Sequence, residues 1–361
     1  MKKLLVIFAA FCIVSMSACF STWDGSDDEG SIVISLGNSG ARAGQLVNMG
    51  NDKDVTEEEP LEGTEVYEIT ISGPGGEFNG ELTGADRDIS FSVQPGLWNV
   101  LVSKYVQDAD QTRILKGFGK KINVEVKAGP PTPAEVVVDK VTKEVDNWSD
   151  LRKVFEKNDG NKEIVIITTD LSADSSMTLG DKQWNITLLA ETPVTITKSY
   201  TSGTADAGNS LFRVLSGCEL TLGGTGKNIT ITSNTTANGY QYNSSLAYVQ
   251  GTLIMNKGVT LSGNVTNAGS SSANDKRGGA VSVYGGTFEM NGGDIYGNST
   301  VTNGGGVYVN SGTFIKTGGT IYGYTEGDSN SNKANGQGLG HAVYGPGTRA
   351  IDTTLGPNDN L

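Results

Sequence analysis

The chain has few of the residues from which active sites are most often built. Its 361 residues include one histidine, His341, and three cysteines. A single histidine without a cysteine or histidine neighbour excludes the usual zinc site, and it leaves a serine or cysteine nucleophile without the base of a catalytic triad. We therefore expect a structural role for His341, and we predict no catalytic residues, no metal site and no cofactor.

Basic residues are also scarce. The chain carries 27 lysines and arginines against 40 aspartates and glutamates, a net charge of −13. An acidic chain without a basic cluster repels the phosphate backbone, so nucleic acid is excluded as a partner. Long hydrophobic runs are absent as well. The apolar run at residues 4–14 is shorter than the roughly 20 residues that span a bilayer.

The first residues match the leader of a bacterial lipoprotein. Lys2 and Lys3 precede the apolar run, and Met16-Ser17-Ala18-Cys19 follows it in the manner of a lipobox. We predict a signal peptide over residues 1–18, lipidation of Cys19, and a flexible tether over residues 19–30 that is rich in Gly, Ser and Asp. The alternative is an ordinary signal peptide with a chance cysteine.

That interpretation also settles which cysteines could form a disulfide. Cys12 leaves with the signal peptide and Cys19 carries the lipid, so Cys218 has no partner for an intrachain disulfide. Cys218 lies in a strand-like segment, and we expect it to be a small buried thiol.

Glycine is abundant, and in the C-terminal half it falls into a repeat. Residues 278–298 return 26 positions later as residues 304–324, with 12 of 21 positions identical. Such a period indicates one structural unit stacked on copies of itself. Short β-type runs between glycines predict a coil of about three strands, a parallel β-helix. We expect Val281, Phe288 and Ile295 to stack on Val307, Phe314 and Ile321 inside it.

One inward position breaks this apolar pattern. Lys316 aligns with Met290, and a buried lysine is costly. We expect either a local change of face or an ammonium group that reaches solvent near the open end.

The N-terminal part has a different pattern. Between residues 31 and 138, short alternating runs such as residues 67–71 are separated by turn signals, which predicts a β-sandwich. Residues 89–102 resemble a hairpin of transthyretin-like or carboxypeptidase-regulatory-like domains, so a sandwich of transthyretin-like or immunoglobulin-like type is expected. The Pro-rich residues 129–133 predict a stiff linker. Residues 139–361 are assigned to the β-helix, with a capping helix at about 147–157 whose apolar side chains, Trp148, Leu151, Val154 and Phe155, recur at helical spacing. The predicted fold class is all-β: an N-terminal β-sandwich followed by a C-terminal parallel β-helix with a short capping α-helix.

Tyrosines recur in registered copies of the repeat. Tyr284, Tyr296, Tyr308 and Tyr322 are predicted to face outward and to offer a surface for ligands such as glycans. The alternative interpretation is that these rings shield the backbone at the corners of the coil.

Carboxylates are the other candidates. Polysaccharide-cleaving β-helices carry acid clusters on one outer face. The charged residues that could form such a cluster are Asp275, Glu289, Asp294, Asp328 and Arg277. The next repeat has Ile315 and Thr320 in place of Glu289 and Asp294. The sequence therefore predicts no paired acids.

The repeated sequence motifs resemble those of a known group of proteins. Residues 285–298 and 304–314, the ending at residues 341–357 and the lipobox resemble spirochaetal-type repeat lipoproteins with a pectin-lyase-like right-handed parallel β-helix. The resemblance is strong over residues 279–361 and loose over residues 160–278. It implies the architecture and an envelope location rather than a reaction.

The sequence therefore predicts a non-enzymatic, lipid-anchored outer-membrane protein that is exposed at the cell surface. Its expected partners are the membrane, through the lipid, and glycans or host matrix proteins, with no obligate oligomer. The alternative is a carbohydrate-active lyase or hydrolase of the pectin-lyase-like superfamily.

Overall fold

The computed structural model describes residues 29–37, 63–157, 160–180, 185–200, 209–234, 244–266, 277–334 and 340–351. The predicted signal peptide, Cys19 and nearly all of the predicted tether lie outside these ranges. Across the ranges that are described, no helix is both long enough and apolar enough to cross a membrane.

Two sheets make up the N-terminal unit. Their strands are β1 (Gly30–Gly37), β2 (Thr64–Gly73), β3 (Gly76–Thr83), β4 (Asp88–Val93), β5 (Gly96–Gln107), β6 (Arg113–Val126), β7 (Thr132–Val137) and β8 (Asp139–Lys140). A three-stranded sheet has the order β4-β1-β7, in which β1 is antiparallel to β4 and parallel to β7. A five-stranded antiparallel sheet has the order β3-β2-β5-β6-β8.

Alternating side chains hold these two sheets together. In β1, Ile32, Ile34 and Leu36 are buried, and they join buried residues of the other sheet in one core. Trp98 is fully buried in that core, and its indole Nε1 donates to the carbonyl of Gln94 at 2.9 Å. The prediction of a stiff linker at residues 129–133 is wrong in part, because β7 begins at Thr132 and pairs with β1.

The C-terminal unit is a coil of parallel strands, so the chain has an all-β fold with a part resembling a parallel β-helix. Its strands form three parallel ladders along the coil, each made of equivalent strands from successive turns, and we call each ladder a rank. Their strands are β9 (Lys143–Val145), β10 (Lys162–Ile167), β11 (Leu171–Ala173), β12 (Met177–Leu179), β13 (Asn185–Ala190), β14 (Val194–Lys198), β15 (Phe212–Val214), β16 (Glu219–Leu222), β17 (Ile229–Ser233), β18 (Ala247–Val249), β19 (Thr252–Met255), β20 (Val259–Ser262), β22 (Val281–Tyr296), β24 (Val307–Ile321), β26 (Val343–Tyr344) and β27 (Thr348–Ile351).

Each rank joins equivalent strands of successive turns. The first rank runs β12-β15-β18 and then through β22 and β24 to β26. The second runs β9-β10-β13-β16-β19 and through β22 and β24 to β27. The third runs β11-β14-β17-β20 and on through the ends of β22 and β24. A short fourth ladder pairs β21 (Val265–Thr266), β23 (Ser299–Thr300) and β25 (Lys333–Ala334).

The predicted apolar stacking is confirmed. Val281 pairs with Val307, Phe288 with Phe314 and Ile295 with Ile321, and all six side chains are fully buried. The rings of Phe288 and Phe314 stack with their centroids 5.2 Å apart. Cys218 is also buried in this core, as predicted.

Lys316 lies beside Met290 without any change of face, and it is only 2% exposed. The expectation that its face would change or that its ammonium group would reach solvent is wrong. The backbone of β27 pairs with β24 at Lys316, so another strand covers this turn of the coil.

The helix α1 (Trp148–Lys157) covers the first turn of the coil. The side-chain oxygen of Asn147 accepts the backbone N–H of Asp150 at 2.9 Å, which caps the start of the helix. The buried face of α1 includes Trp148 and Phe155, whose rings lie 6.2 and 5.8 Å from the ring of Phe212. The helix thereby closes an apolar end that would otherwise meet water.

The N-terminal unit packs against the outer face of the second rank. Phe118, Leu115 and Leu101 form an apolar cluster with Ile164 and Leu189. Because of this cover, outward side chains of the second rank that would otherwise meet solvent are buried: Thr187, Thr221 and Ile254 are 1%, 0% and 0% exposed.

Polar contacts extend this interface along several turns of the coil. Asn99 Nδ2 donates to Asn291 Oδ1 and to Thr317 Oγ1, each at 3.1 Å. Lys257 Nζ lies 2.7 Å from Glu77 Oε1. The chain itself passes between the units after β8, since β8 pairs with β6 whereas β9 pairs with β10.

Candidate functional site

The outward tyrosines of the first rank form a continuous stack. The ring of Tyr248 lies 5.1 Å from that of Tyr284, Tyr284 lies 6.0 Å from Tyr308, and Tyr308 lies 6.2 Å from Tyr344. We call these four residues the tyrosine ladder. Offset aromatic pairs at such separations attract one another beyond the area that they bury.

The register of the first rank explains the ladder. Tyr248, Ser282, Tyr308 and Tyr344 occupy the same outward position in successive turns. In the turn that has Ser282 at this position, the aromatic ring of the stack belongs to Tyr284, two residues further along the chain. The stack of rings is therefore unbroken across four turns.

Only part of the predicted tyrosine surface is brought together. Tyr284 and Tyr308 belong to the ladder, whereas Tyr296 and Tyr322 form a separate edge-to-face pair on the third rank, with ring centroids 5.8 Å apart. The expected exposure is wrong for Tyr308, which is 3% exposed, and the other three are half-buried. An outward side chain on a strand is not an exposed one when rings above and below cover both of its faces.

The sequence reasoning missed Tyr248 and Tyr344 as members of the ladder. Both could have been found from the sequence, because Ala247-Tyr248-Val249 and Val343-Tyr344 have the same pattern as Val307-Tyr308-Val309. The two arginines beside the ladder had no such signal. Arg213 lies 6.0 Å from the ring of Tyr248, and Arg277 lies 5.0 Å from the ring of Tyr308.

An open cleft of about 350 Å³ lies at the end of the ladder. Arg277 Nη1 donates to the Tyr308 hydroxyl at 2.6 Å, and that hydroxyl donates to Asn310 Oδ1 at 3.1 Å. Within the described ranges, the buried Nε of Arg277 has no hydrogen-bond acceptor. The lining residues are Arg277, Asn303, Tyr308, Tyr344, Gly345 and Pro346.

The acidic candidates are not brought together into one site. Asp275 lies outside the described residues. Asp294 is half-buried on the third rank, where burial raises the pKa of its carboxyl. Asp328 is exposed in a turn and accepts the backbone N–H of Asn330 at 2.9 Å. Arg277 lies at the cleft instead.

Glu289 has charged neighbours that the sequence did not predict. It shares the covered outer face of the second rank with Glu219, whose Oε1 lies 2.7 Å from Lys120 Nζ of β6. Burial raises the pKa of Glu289 and lowers the pKa of Lys120. Lys120 also donates to Thr221 Oγ1 at 2.5 Å. These groups fasten the two units together and lie beneath the N-terminal sheet.

His341 has contacts that fit a structural role. Its Nδ1 accepts the backbone N–H of Ala334 at 3.0 Å, and its ring stacks on Tyr324 with centroids 4.8 Å apart. Burial, and then the charge of Lys333, lower its pKa, which favours the neutral ring that this acceptor role needs. No group of three or more His, Cys, Asp or Glu side chains that could hold a metal ion occurs in the described part of the chain.

Comparison with known proteins adds little to these observations. No protein-family model matches the chain, and no curated protein matches it. One solved structure, of a DUF4876 family protein from Bacteroides thetaiotaomicron, is similar at 16% sequence identity with a TM-score of 0.19. The match covers 31% of this chain and 24% of the other, so it spans about a quarter of that protein and is too slight to indicate a function.

Proposed function

We propose that this protein is a non-enzymatic, lipid-anchored protein of the cell envelope whose β-helix presents a ligand-binding surface for adhesion. Cys19 carries the lipid, residues 19–30 tether the fold to the outer membrane, and the protein faces the outside of the cell. The ligands are glycans or host matrix proteins. The lipobox and the acidic, histidine-poor composition support this proposal.

The proposed architecture is that of the spirochaetal-type repeat lipoproteins. In it the two N-terminal sheets are a β-sandwich that serves as an accessory module, and the coil is a right-handed β-helix of the pectin-lyase-like kind. The stacked turns and their paired phenylalanines support this assignment.

The observation that carries the proposed function is the tyrosine ladder with the arginine-containing cleft at its end. Tyrosine rings supply rigid contact area with a polar edge, and they lose little conformational entropy when a ligand binds. The half-buried rings of Tyr284 and Tyr344 are already held in place by their neighbours, so the surface is organised before a ligand arrives.

The alternative of a polysaccharide-cleaving enzyme is weaker. It needs acids that meet on an open face of the coil within reach of a sugar. Among the acids on the second rank, Glu219 and Glu289 lie beside Lys120 of the N-terminal unit, which pairs with Glu219, and Glu163 is buried and pairs with Lys157. We do not propose that reaction.

Removal of one ring from the ladder tests the proposal. The mature chain with Cys19→Ala, which cannot be acylated, is screened on a glycan array and on immobilised matrix proteins. For each ligand that binds, we expect Tyr344→Ala to weaken binding about tenfold or more, since buried aromatic contacts are frequent hot spots. Tyr322→Ala, on the third rank, is the matched control and should retain binding.

Two results would count against this assignment. Loss of binding in Tyr322→Ala with retention in Tyr344→Ala would move the ligand surface to the third rank. Failure of the unsubstituted chain to bind any glycan or matrix protein would remove adhesion as the function.

The lipid anchor has its own test. Cells that express the full chain and are fed an alkyne-bearing fatty acid should incorporate it into the protein, and Cys19→Ala should abolish the label. Added protease should digest the chain on intact cells if it is surface-exposed. Equal labelling of Cys19→Ala would overturn the anchor.

A further inference from the structure

Strand β4 lies at the edge of the three-stranded sheet, and in the described part of the chain it pairs only with β1. The backbone N–H of Leu36 donates to the carbonyl of Arg87, which fixes the phase of this antiparallel pair. Because the inter-strand bonds of such a pair involve alternate residues, the N–H and C=O groups of Asp88, Ser90 and Ser92 point away from β1. The side chains of these three residues are exposed, so a further strand can reach this edge.

The other edges of these two sheets are protected in ways that natural proteins use against unwanted pairing. Strand β8 has only two residues. Strand β3 carries two glutamates, Glu77 and Glu81, in ion pairs with basic side chains. Strand β7 lies against β6, where an added Cβ at Gly119 would approach the carbonyl of Val137 to 2.5 Å. Strand β4 has none of these features, and it contains neither lysine nor proline.

The side of the sandwich next to β4 also exposes apolar area. Ile89 and Phe91 are half-buried at the margin of the core. They rest on Gly80 of β3, where an added Cβ would lie 2.4 Å from Ile89 Cδ1. Phe78, two residues away on the same strand, is 39% exposed. A strand added to β4 would cover part of this area as well as bonding to the backbone.

The sequence of β4 is complementary to itself in one antiparallel register. When Ser90 lies opposite Ser90 of a second copy, Ile89 lies opposite Phe91 and Asp88 lies opposite Ser92. The three residues whose backbone groups point outward then form the hydrogen-bonded pairs. The isoleucine–phenylalanine pairs are of the aromatic and β-branched kind that stabilises sheets, and no aspartate faces another.

We propose that the protein forms a symmetric dimer in which the β4 strands of two copies pair about a twofold axis. The two three-stranded sheets join into one six-stranded sheet, and the assembly is closed because the same edge serves both copies. The five-stranded sheet lies between the three-stranded sheet and the coil, so the coil is on the far side from the contact. A strand of six residues buries less area than stable dimers need, so we expect a Kd on the order of 10 µM.

This inference goes beyond the proposed function and needs neither the lipid nor the ligand. If both copies are anchored in one membrane, their effective concentration rises, and a weak dimer becomes populated. The paired copies would then present two tyrosine ladders together.

The first test is sedimentation velocity of the mature chain with Cys19→Ala, at concentrations from about tenfold below to about tenfold above that Kd. We expect a reversible equilibrium of monomer and dimer. Added salt should favour the dimer, because both copies are strongly acidic and salt screens their repulsion.

Ser90→Lys should weaken the dimer about tenfold or more, since two ammonium groups would face each other at the twofold axis. Ser35→Lys is the matched control. Ser35 pairs with Asp88 and lies on the same face of the sheet, but in the middle strand β1. This control adds the same charge away from the edge and should change the Kd by less than about twofold. Thermal unfolding of both variants shows that they remain folded.

Cross-linking tests the register. In the proposed dimer the two Ser90 Cα atoms lie about 5.5 Å apart, a separation that a disulfide spans. Mild oxidation should therefore link the Ser90→Cys variant into a covalent dimer. Ser92→Cys, which is also exposed on this edge, would lie about 13 Å along the strand from its counterpart and should stay unlinked. Cys218 is buried and is common to both variants.

Three results would overturn this inference. A chain that stays monomeric at every concentration would leave another segment of the same chain as the occupant of the edge. An unchanged Kd in Ser90→Lys would place the dimer contact elsewhere. Equal linking of Ser90→Cys and Ser92→Cys would exclude the register. None of these results bears on the ligand of the ladder, so the proposed function stands or fails by its own test.

Discussion

Asn298→Ala is expected to destabilise the coil by about 3–6 kcal/mol in urea or thermal unfolding. Asn298 Nδ2 donates to the carbonyls of Leu261 and Tyr296, each at 2.9 Å, and its Oδ1 accepts the backbone N–H of Asn264 at 3.1 Å. The residue is fully buried. Alanine leaves these three backbone groups without that partner, and a buried group without a partner costs about 1–3 kcal/mol.

The effect should be large because Asn298 is the middle member of a ladder. Asn264, Asn298 and Asn332 are all fully buried, and the Oδ1 of each later member accepts the backbone N–H of the one before it. Such a ladder satisfies the corner backbone where the strand hydrogen bonds stop. Removal of the middle side chain breaks the bond to the backbone of Asn264 and the side-chain bond to Asn332, and only the backbone N–H of residue 298 still donates to Asn332 Oδ1.

Two further variants make this expectation specific. Asn298→Asp keeps the size and the acceptor but loses both donors, so it should destabilise the coil at least as much at neutral pH. Asn330→Ala, at an exposed asparagine in a neighbouring turn, should change stability by less than about 0.5 kcal/mol. A neutral effect of Asn298→Ala would contradict the role of the ladder.

Lys198→Met is expected to stabilise the protein below pH 7, by on the order of 3–5 kcal/mol. Lys198 is 1% exposed, and burial lowers its pKa from 10.5 to about 7. Its Nζ donates to the Ser244 hydroxyl at 2.9 Å. Methionine has a similar length without the charge, and the Ser244 carbonyl keeps the amide of Asn264 as a donor at 3.0 Å.

The pH dependence has a definite sign. Between pH 7 and pH 10.5 the unfolded chain holds a proton on Lys198 that the folded chain has released, so unfolding takes up a proton. The contribution of Lys198 to stability therefore increases as the pH rises through that interval, by at most about 1.4 kcal/mol per pH unit. Below pH 7 both states are protonated and the cost of burying the charge is constant.

The measurement is the difference in unfolding free energy between Lys198→Met and the unsubstituted chain across that interval. Taking a difference cancels other groups, such as Tyr105, whose pKa burial raises to about 12. The advantage of the methionine variant should shrink as the pH rises and should vanish near pH 10.5. An advantage that stays constant from pH 6 to pH 10 would show that Lys198 does not titrate in this way. Lys227→Met, at an exposed lysine, is the matched control.

The sequence predicted the stacking of the coil because apolar alternation and a visible repeat carry that information. The repeat was clearest at the 26-residue step, with shorter matches of residues 251–256 to 286–291 and of residues 342–344 to 306–308. In the first rank, the partners Met177, Phe212, Ala247, Val281, Val307 and Val343 are separated by 35, 35, 34, 26 and 36 residues. The earlier steps are harder to see because their paired residues differ in identity, as Met177, Phe212 and Ala247 do.

The asparagine ladder was missed because its spacing differs from that of the clearest repeat. Its members are 34 residues apart, so Asn332 does not fall in the 26-residue register of the visible repeat. The exposure of the tyrosines was mispredicted for another reason. A strand pattern indicates which way Tyr308 points, but whether rings from neighbouring turns cover it depends on contacts distant in sequence.

The site at the cleft could be predicted only in part. Tyr308 was identified from its place in the repeat, whereas the sequence associated Arg277 with acids and not with tyrosines. No local sequence pattern predicted that the N-terminal unit packs on the second rank. Thr221 and Ile254 look like ordinary outward-facing strand residues in the sequence, although both are buried. Burial of a strand by a distant part of the chain depends on both packed surfaces, so it cannot be predicted from the sequence of either one alone.

The lateral packing of the N-terminal unit has a mechanical consequence. In an isolated solenoid each turn touches only its neighbours, so a pull on one end peels the turns off one after another. Here the N-terminal sheets contact the flank of the coil from Ile164 to Thr317. Tension between the N-terminal unit and the far end of the coil is thereby shared among many turns at once. Bonds that must break together resist force better than bonds that break in series, so this flank contact should make the coil harder to unravel by pulling.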